Sequence, residues 1–145
     1  MKRIHSFTLL LFISIAANAQ FYYGAGFGLA CTKQGADPLL FSNAGYALNN
    51  TFLGEVSLQG SLSGTIAPSA MVGLKKDLSE ASGIHLLAGI ADDLDYNIKP
   101  VTFRHNYYAA YTARLWMGHC SIQVQYFNKT AFCTIGIIGF AEKRN

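Results

Sequence analysis

The stretch Ser121-Ile122-Gln123-Val124-Gln125-Tyr126 alternates polar and apolar side chains at every position. Successive side chains of a β-strand point to opposite faces, so this alternation predicts a strand with one polar and one apolar face. The same pattern runs from Phe52 to Gln59, with Glu55 on the polar face. Residues 21–29 place three glycines on one face and apolar side chains on the other. The period of two therefore predicts β-structure along the chain from residue 21 onward.

The composition indicates a membrane or secreted protein. The chain has 145 residues, of which 51% are hydrophobic and 13% are charged, and its formal net charge is +3. This length allows one domain, and the charged fraction is about half of the ~25% usual in soluble proteins. Such a composition argues against an ordinary cytosolic protein and against a disordered chain. The net charge is too small to predict a nucleic-acid partner.

The beginning of the chain predicts a secretory signal peptide. Lys2 and Arg3 precede an apolar run from Phe7 to Ala17, which leads into a cleavage motif of small residues. We therefore expect residues 1–19 to be removed and residues 20–145 to form one outer-membrane β-barrel domain. No later apolar run is long enough for a transmembrane helix, so a mature chain in a bilayer would need closed β-structure.

Turn signals divide the mature chain into eight predicted strands, at residues 21–31, 42–49, 51–62, 68–78, 83–92, 104–117, 119–127 and 131–141. Short turns are predicted at Asn49-Asn50, Ser79–Ser82 and Gly118, and longer loops at Thr32–Phe41 and Asp93–Phe103. Strands of about 10 residues, with short turns on one rim and longer loops on the other, are typical of outer-membrane barrels. The sequence therefore predicts an all-β fold, an eight-stranded antiparallel up-and-down transmembrane β-barrel.

The first and last predicted strands resemble a known family. The opening strand contains Tyr22-Tyr23-Gly24-Ala25-Gly26-Phe27-Gly28, and the closing strand contains Cys133-Thr134-Ile135-Gly136-Ile137-Ile138-Gly139-Phe140. These patterns resemble the small bacterial outer-membrane β-barrel proteins, the eight-stranded OmpX-like and porin-like group. The resemblance implies residence in the bacterial outer membrane, contact with outer-membrane lipid, and recognition of the last strand by the barrel-assembly machinery. Phe140 is the match for the family's terminal aromatic residue in that recognition.

The predicted function is a structural role or a surface interaction. Eight strands leave an interior that side chains fill, which argues against an open pore. We expect the barrel to present residues 32–41 and 93–103 outside the cell to an unidentified partner. Two alternatives stay open. One is a soluble periplasmic β-barrel or sandwich that binds a lipid or hydrophobic ligand, and the other is a lipid-modifying enzyme that uses His105 and Ser63 for acyl transfer.

The inner face of the predicted barrel carries a polar network. The strand patterns place four polar residues at similar heights inside, namely Glu55, Lys75, Arg114 and Gln123, with His85 slightly lower. A buried charge needs a partner, because desolvation without one is costly. We therefore expect Glu55 to bond Lys75 or Arg114, with Gln123 completing a network that plugs and stiffens the barrel.

The outer face carries a predicted aromatic girdle. Aromatic rings fit the interfaces between lipid headgroups and hydrocarbon. Six rings near strand ends are expected to face lipid: Tyr23, Phe52 and Phe140 at the periplasmic rim, and Tyr107, Tyr126 and Phe132 near the external rim.

The three cysteines are an odd number for an oxidising compartment. Strands 1 and 8 pair to close the barrel, and Cys31 and Cys133 lie at the same rim of these strands. A disulfide between them is a hypothesis that leaves Cys120 as the odd thiol at the other rim. One argument opposes it: if Phe27 and Phe140 both face lipid, Cys31 points outward and Cys133 inward.

The remaining motifs predict no chemistry. The glycines at 24, 26 and 28 lack the spacing and the helix of a dinucleotide site. Asp93-x-Asp95-x-Asn97 begins like an EF-hand loop but lacks the later glycine and glutamate. A solvated loop is expected there, with divalent-cation binding at the level of lipopolysaccharide as the alternative. Scattered histidines do not favour a zinc site. We accordingly predict no catalytic residue, no metal and no cofactor.

Overall fold

The computed structural model describes residues 19–33, 35–48, 51–62, 64–98 and 101–141, with the backbone alone at residues 19, 95–98 and 101–104. Apart from Ala19, the predicted signal peptide lies outside the described residues. The structure contains the strands β1 (Ala19–Thr32), β2 (Gly35–Leu48), β3 (Phe52–Ser61), β4 (Ile66–Ser79), β5 (Ser82–Ile98), β6 (Val101–Met117), β7 (Cys120–Phe127) and β8 (Thr130–Phe140).

The eight strands form one closed barrel. Each strand pairs antiparallel with the next strand along the chain, and β8 pairs antiparallel with β1. The predicted eight-stranded up-and-down β-barrel is thus confirmed. No helix among the described residues is long and apolar enough to cross a membrane. We call the end that holds the beginning of β1 and the end of β8 the terminal rim, and the other end the hairpin rim.

The connections at the hairpin rim are short, so the prediction of two long loops there is wrong. β1 passes to β2 through residues 33–34, and β5 passes to β6 through residues 99–100. Most of the predicted loops Thr32–Phe41 and Asp93–Phe103 pair with the neighbouring strand instead. This ladder satisfies the backbone groups along the edge that each segment shares with its neighbouring strand. The polar side chains of these segments are the reason why the sequence predicted loops there.

The β5–β6 hairpin extends beyond the other strands at the hairpin rim. These two strands pair along their full lengths. β5 pairs with β4 only as far as Leu94, and β6 pairs with β7 only between Tyr111 and Met117. Among the described residues, the segment Val101–Ala110 therefore has no partner strand on its β7 side. The hairpin carries this open edge beyond the ends of the neighbouring strands.

The two faces of the barrel wall differ in polarity. Buried polar residues on the inner face include Ser57, Gln59, Ser69, Thr112, Ser121, Gln125 and Thr134. Exposed apolar residues on the outer face include Phe27, Leu40, Val56, Val72, Ile90, Ile122, Ile135 and Ile137. The inner face also buries an apolar cluster that includes Phe41, Met71 and Trp116, so its polarity is mixed. The predominantly apolar outer face matches the lipid-facing wall of a transmembrane barrel.

Glycines on the inner face make room for large rings. A Cβ atom at Gly26 would lie 2.6 Å from the ring of Phe41, and one at Gly136 would lie 2.9 Å from the same ring. A Cβ atom at Gly45 would lie 2.6 Å from the ring of Tyr22. These three glycines therefore have a packing role, because a narrow barrel cannot hold large side chains from every strand at one height.

Candidate functional site

A buried ion pair crosses the barrel interior from β3 to β6. Arg114 Nη1 and Nη2 donate to Glu55 Oε2 and Oε1 at 2.6 and 2.7 Å. Both side chains are almost completely buried. Since β3 and β6 are not neighbours in the barrel, this bidentate pair links separate parts of the wall.

Three further side chains surround the ion pair. Gln123 Oε1 accepts from Arg114 Nε at 2.8 Å and from Nη2 at 2.5 Å. The Tyr22 hydroxyl donates to Glu55 Oε2 at 2.8 Å, and His85 Nδ1 lies 3.3 Å from Arg114 Nη1. The structure brings four of the five predicted network residues together and adds Tyr22, which sequence reasoning missed. Its position on the same strand face as the β1 glycines was the available signal.

Lys75, the fifth predicted residue, lies outside this cluster. Its Nζ is 3.2 Å from Asp77 Oδ1 and 3.5 Å from Gln20 Oε1. The same atom lies 5.5 Å from the ring centroid of Phe140 and 5.9 Å from that of Trp116. Lys75 therefore pairs with Asp77 near the terminal rim and makes cation–π contacts to two aromatic rings. It does not bond Glu55.

A second polar layer lies on the hairpin-rim side of the ion pair. The side-chain amides of Gln59 and Gln125 hydrogen-bond to each other across the interior. Gln125 Nε2 donates to Ser69 Oγ at 3.3 Å, and the hydroxyl oxygens of Ser57 and Ser69 are 2.6 Å apart. Sequence reasoning placed Ser57, Gln59 and Gln125 on polar faces but did not connect them, because the contact joins strands far apart in the chain.

Two of the six predicted girdle rings point into the barrel, so their assignment to the lipid face is wrong. Phe132 is 4% exposed and stacks on Phe127, with ring centroids 4.6 Å apart. Phe140 packs on Trp116, with ring centroids 4.9 Å apart. The cause is the register of β8, in which Phe140 lies opposite the inward-facing Tyr22. The other four rings are exposed on the outer face: Tyr23, Phe52, Tyr107 and Tyr126.

All three cysteines are free thiols in the structure. Cys31 lies opposite Ala131, and Cys133 lies opposite Leu29, so the two cysteines are diagonal neighbours across the β1–β8 ladder. The expectation that Cys133 points inward is wrong, since its side chain is exposed on the outer face like that of Leu29. That expectation depended on Phe140 facing lipid.

His105 is held on the outer face of β6 by a carboxylate. Its Nδ1 lies 2.6 Å from Asp92 Oδ2, and Asp92 Oδ1 accepts the backbone N–H of Asn106 at 3.0 Å. The imidazole also stacks on the ring of Tyr107. These contacts fix the orientation of the imidazole ring. Ser63, the predicted companion of His105, lies outside the described residues.

The acidic stretch that resembles an EF-hand lies in strand β5 and not in a loop. Asp93 Oδ2 accepts a hydrogen bond from Asn128 Nδ2 at 3.0 Å. Asp95 and Asn97 belong to the part of the hairpin described by its backbone alone. Among the residues with described side chains, no group of three or more His, Cys, Asp or Glu residues could hold a metal ion.

Comparison with known proteins defines the fold of this chain. No protein-family model and no curated protein matches the sequence. A de novo designed transmembrane β-barrel matches 86% of this chain and 96% of its own, with a TM-score of 0.58 and 14% sequence identity. A second match is Ail, the attachment invasion locus protein of Yersinia pestis, solved in complex with the heparin analogue sucrose octasulfate. It matches 85% of this chain and 98% of its own, with a TM-score of 0.49 and 12% sequence identity. The chain has the fold of a transmembrane β-barrel.

Proposed function

We propose that this protein is a small β-barrel of the bacterial outer membrane, with an interior closed by its own side chains and a hairpin presented for surface interactions. The observation that carries the proposal is the apolar outer face of the wall, together with charged side chains buried inside. Val72 is 70% exposed and Phe27 68% exposed on the outer face, whereas Arg114 is buried inside. An outer surface this apolar needs lipid around it. A soluble carrier of hydrophobic ligands would instead need an apolar interior.

The interior supports a closed barrel in preference to a pore. Eight strands leave a space that side chains alone fill. Here the Glu55–Arg114 pair spans that space, and the Gln59–Gln125 contact spans it a second time. We infer that this double layer stiffens the barrel and prevents the passage of ions.

The open edge of the β5–β6 hairpin supports a role in surface interaction. An unpaired strand edge carries backbone groups that can pair with a strand from another protein. The segment Val101–Ala110 offers such an edge at the hairpin rim. We infer that this rim faces the cell exterior and that an extended segment of a surface protein adds to β6.

Three measurements on the intact protein test the membrane location and the closed interior. The chain should resist carbonate extraction and should migrate differently on a gel when it is not boiled. In planar lipid bilayers it should give no stable conductance. A quadruple variant, Glu55→Ala/Arg114→Ala/Gln59→Ala/Gln125→Ala, removes both layers and should conduct, while an outer-face control, Val56→Ala, should not. Release of the chain as a soluble monomer would refute the membrane location, and wild-type conductance equal to that of the quadruple variant would refute the closed interior.

Surface labelling tests the orientation of the hairpin. In a background with all three native cysteines replaced by serine, Asn97→Cys should react with a membrane-impermeant maleimide on intact cells. Glu80→Cys, in the β4–β5 turn at the terminal rim, is the matched control and should react only after lysis. The reverse pattern would contradict the proposed orientation.

A lipid-modifying activity is the second candidate, and the orientation of His105 by Asp92 is the observation that favours it. A general base needs a fixed imidazole, and this one lies on the outer face near the hairpin rim. Cells that express the chain should then contain lipids with an additional acyl group, and these lipids should be absent from cells that express His105→Ala. Identical lipid profiles in the two strains would exclude the activity.

A further inference from the structure

Two of the three cysteines meet at the seam that closes the barrel. Cys31 is the last residue of β1 to pair with β8, and Cys133 lies two residues along β8 from its partner, Ala131. Cys31 is half-buried, and Cys133 is exposed on the outer face. Both side chains are on the outer face, so the two cysteines are diagonal neighbours on one side of the β1–β8 ladder. Both belong to the hairpin rim.

We propose that Cys31 and Cys133 are a redox cross-link that locks the first strand to the last. The inference rests on the proposed function, since the periplasm supplies the oxidising conditions in which disulfides persist. Diagonal neighbours in a regular ladder have Cα atoms about 7–8 Å apart, slightly beyond the usual disulfide range. Cys31 forms the last β1–β8 pair, so no further pair to β8 restrains the small movement that closure needs.

The reaction is thiol–disulfide exchange with an oxidised dithiol protein of the periplasm, which reaches the chain before insertion places the hairpin rim outside the cell. The thiolate of one cysteine attacks the disulfide of this oxidant and forms a mixed disulfide, which releases the first thiolate of the oxidant. The thiolate of the other cysteine then attacks the mixed disulfide and releases the second. The barrel loses two protons and two electrons, and the oxidant is left as a dithiol.

The geometry excludes Cys120 from this cross-link. Cys120 lies at the terminal rim, opposite Ile137 in the β7–β8 ladder. Ile137 is four residues along β8 from Cys133, which corresponds to about 13 Å along the strand. This separation is about twice the upper end of the usual Cα–Cα range of a disulfide, too large for a small movement to close. In the folded barrel, only one pair of the three cysteines can therefore bond.

The cross-link would act on the ladder between the first and the last strand of the barrel. Strands β1 and β8 are far apart in the sequence, so no turn holds them together. A bond between Cys31 and Cys133 closes a loop of roughly a hundred residues, and long loops gain the most from closure in the chain-entropy model. We expect the oxidised barrel to resist opening along this seam.

Counting free thiols tests the proposal. Protein expressed with its export signal is trapped with acid, denatured, and treated with a polyethylene-glycol maleimide before and after reduction. The wild type should gain one label before reduction and three after it. Cys120→Ser should gain none before and two after, and Cys31→Ser and Cys133→Ser should each gain two in both conditions.

The outcomes separate this inference from the proposed function. Three free thiols in protein that resists carbonate extraction would overturn the cross-link and leave the membrane location intact. A cross-linked chain recovered as a soluble monomer would overturn the membrane location instead. Two free thiols in unreduced Cys120→Ser protein would overturn the cross-link, even if Cys31→Ser or Cys133→Ser fails to fold.

Discussion

At the scale of single residues, the interior depends on one carboxylate. Glu55 accepts from Arg114 and Tyr22, and none of the three side chains has appreciable contact with solvent. Removal of one partner of a buried pair leaves an uncompensated charge, which costs about 3–5 kcal/mol. We expect Glu55→Ala to lower the free energy of unfolding by that amount, measured by urea unfolding in lipid vesicles.

Lys75→Met is the matched control for Glu55→Ala. Lys75 pairs with the partly exposed Asp77, so its removal leaves no buried charge and should cost much less. Equal losses in the two variants would contradict the central place of the Glu55–Arg114 pair.

The inward-facing ring of Phe132 provides a second prediction at this scale. Phe132 is packed inside against Phe127, and Tyr107 is exposed on the outer face. Truncation of a buried phenylalanine leaves a cavity and costs about 3–5 kcal/mol. Phe132→Ala should therefore lower the free energy of unfolding in vesicles more than Tyr107→Ala does. A larger loss for Tyr107→Ala would favour the original placement of Phe132 in the lipid girdle.

At the scale of strands, the β1–β8 pairing depends on small residues. A Cβ atom at Gly26 would lie 2.3 Å from the backbone oxygen of Ile135 and 2.6 Å from the ring of Phe41. We expect Gly26→Leu to block this pairing and to reduce the heat-modifiable folded band to a small fraction after refolding into vesicles.

Gly54→Ala is the control for Gly26→Leu. A Cβ atom at Gly54 would meet nothing within 4 Å, since this glycine lies on the outer face of β3. The folded fraction of Gly54→Ala should equal that of the wild type. Normal folding of Gly26→Leu would show that the seam tolerates bulk.

At the scale of the whole molecule, the apolar belt predicts how the barrel responds to charge. Val72 lies on the outer face at the middle of β4. An arginine at the bilayer midplane of a barrel costs about 2–4 kcal/mol, and near the interface it costs about 0–1 kcal/mol. Val72→Arg should lower the free energy of folding into vesicles, whereas Leu62→Arg at the hairpin rim should have little effect. If both variants fold as well as the wild type, the belt does not lie in lipid.

The sequence by itself determined the β-fold, the number of strands and much of the inner face. Alternation is a local property, so Glu55 and Gln123 could be placed on polar faces without knowledge of any pairing. The tertiary structure decided what depends on register. It set the inward direction of Phe132 and Phe140, made Arg114 the partner of Glu55, and turned the two predicted loops into paired strands. These features arise from hydrogen bonds and contacts between strands far apart in the chain, which a local pattern does not encode.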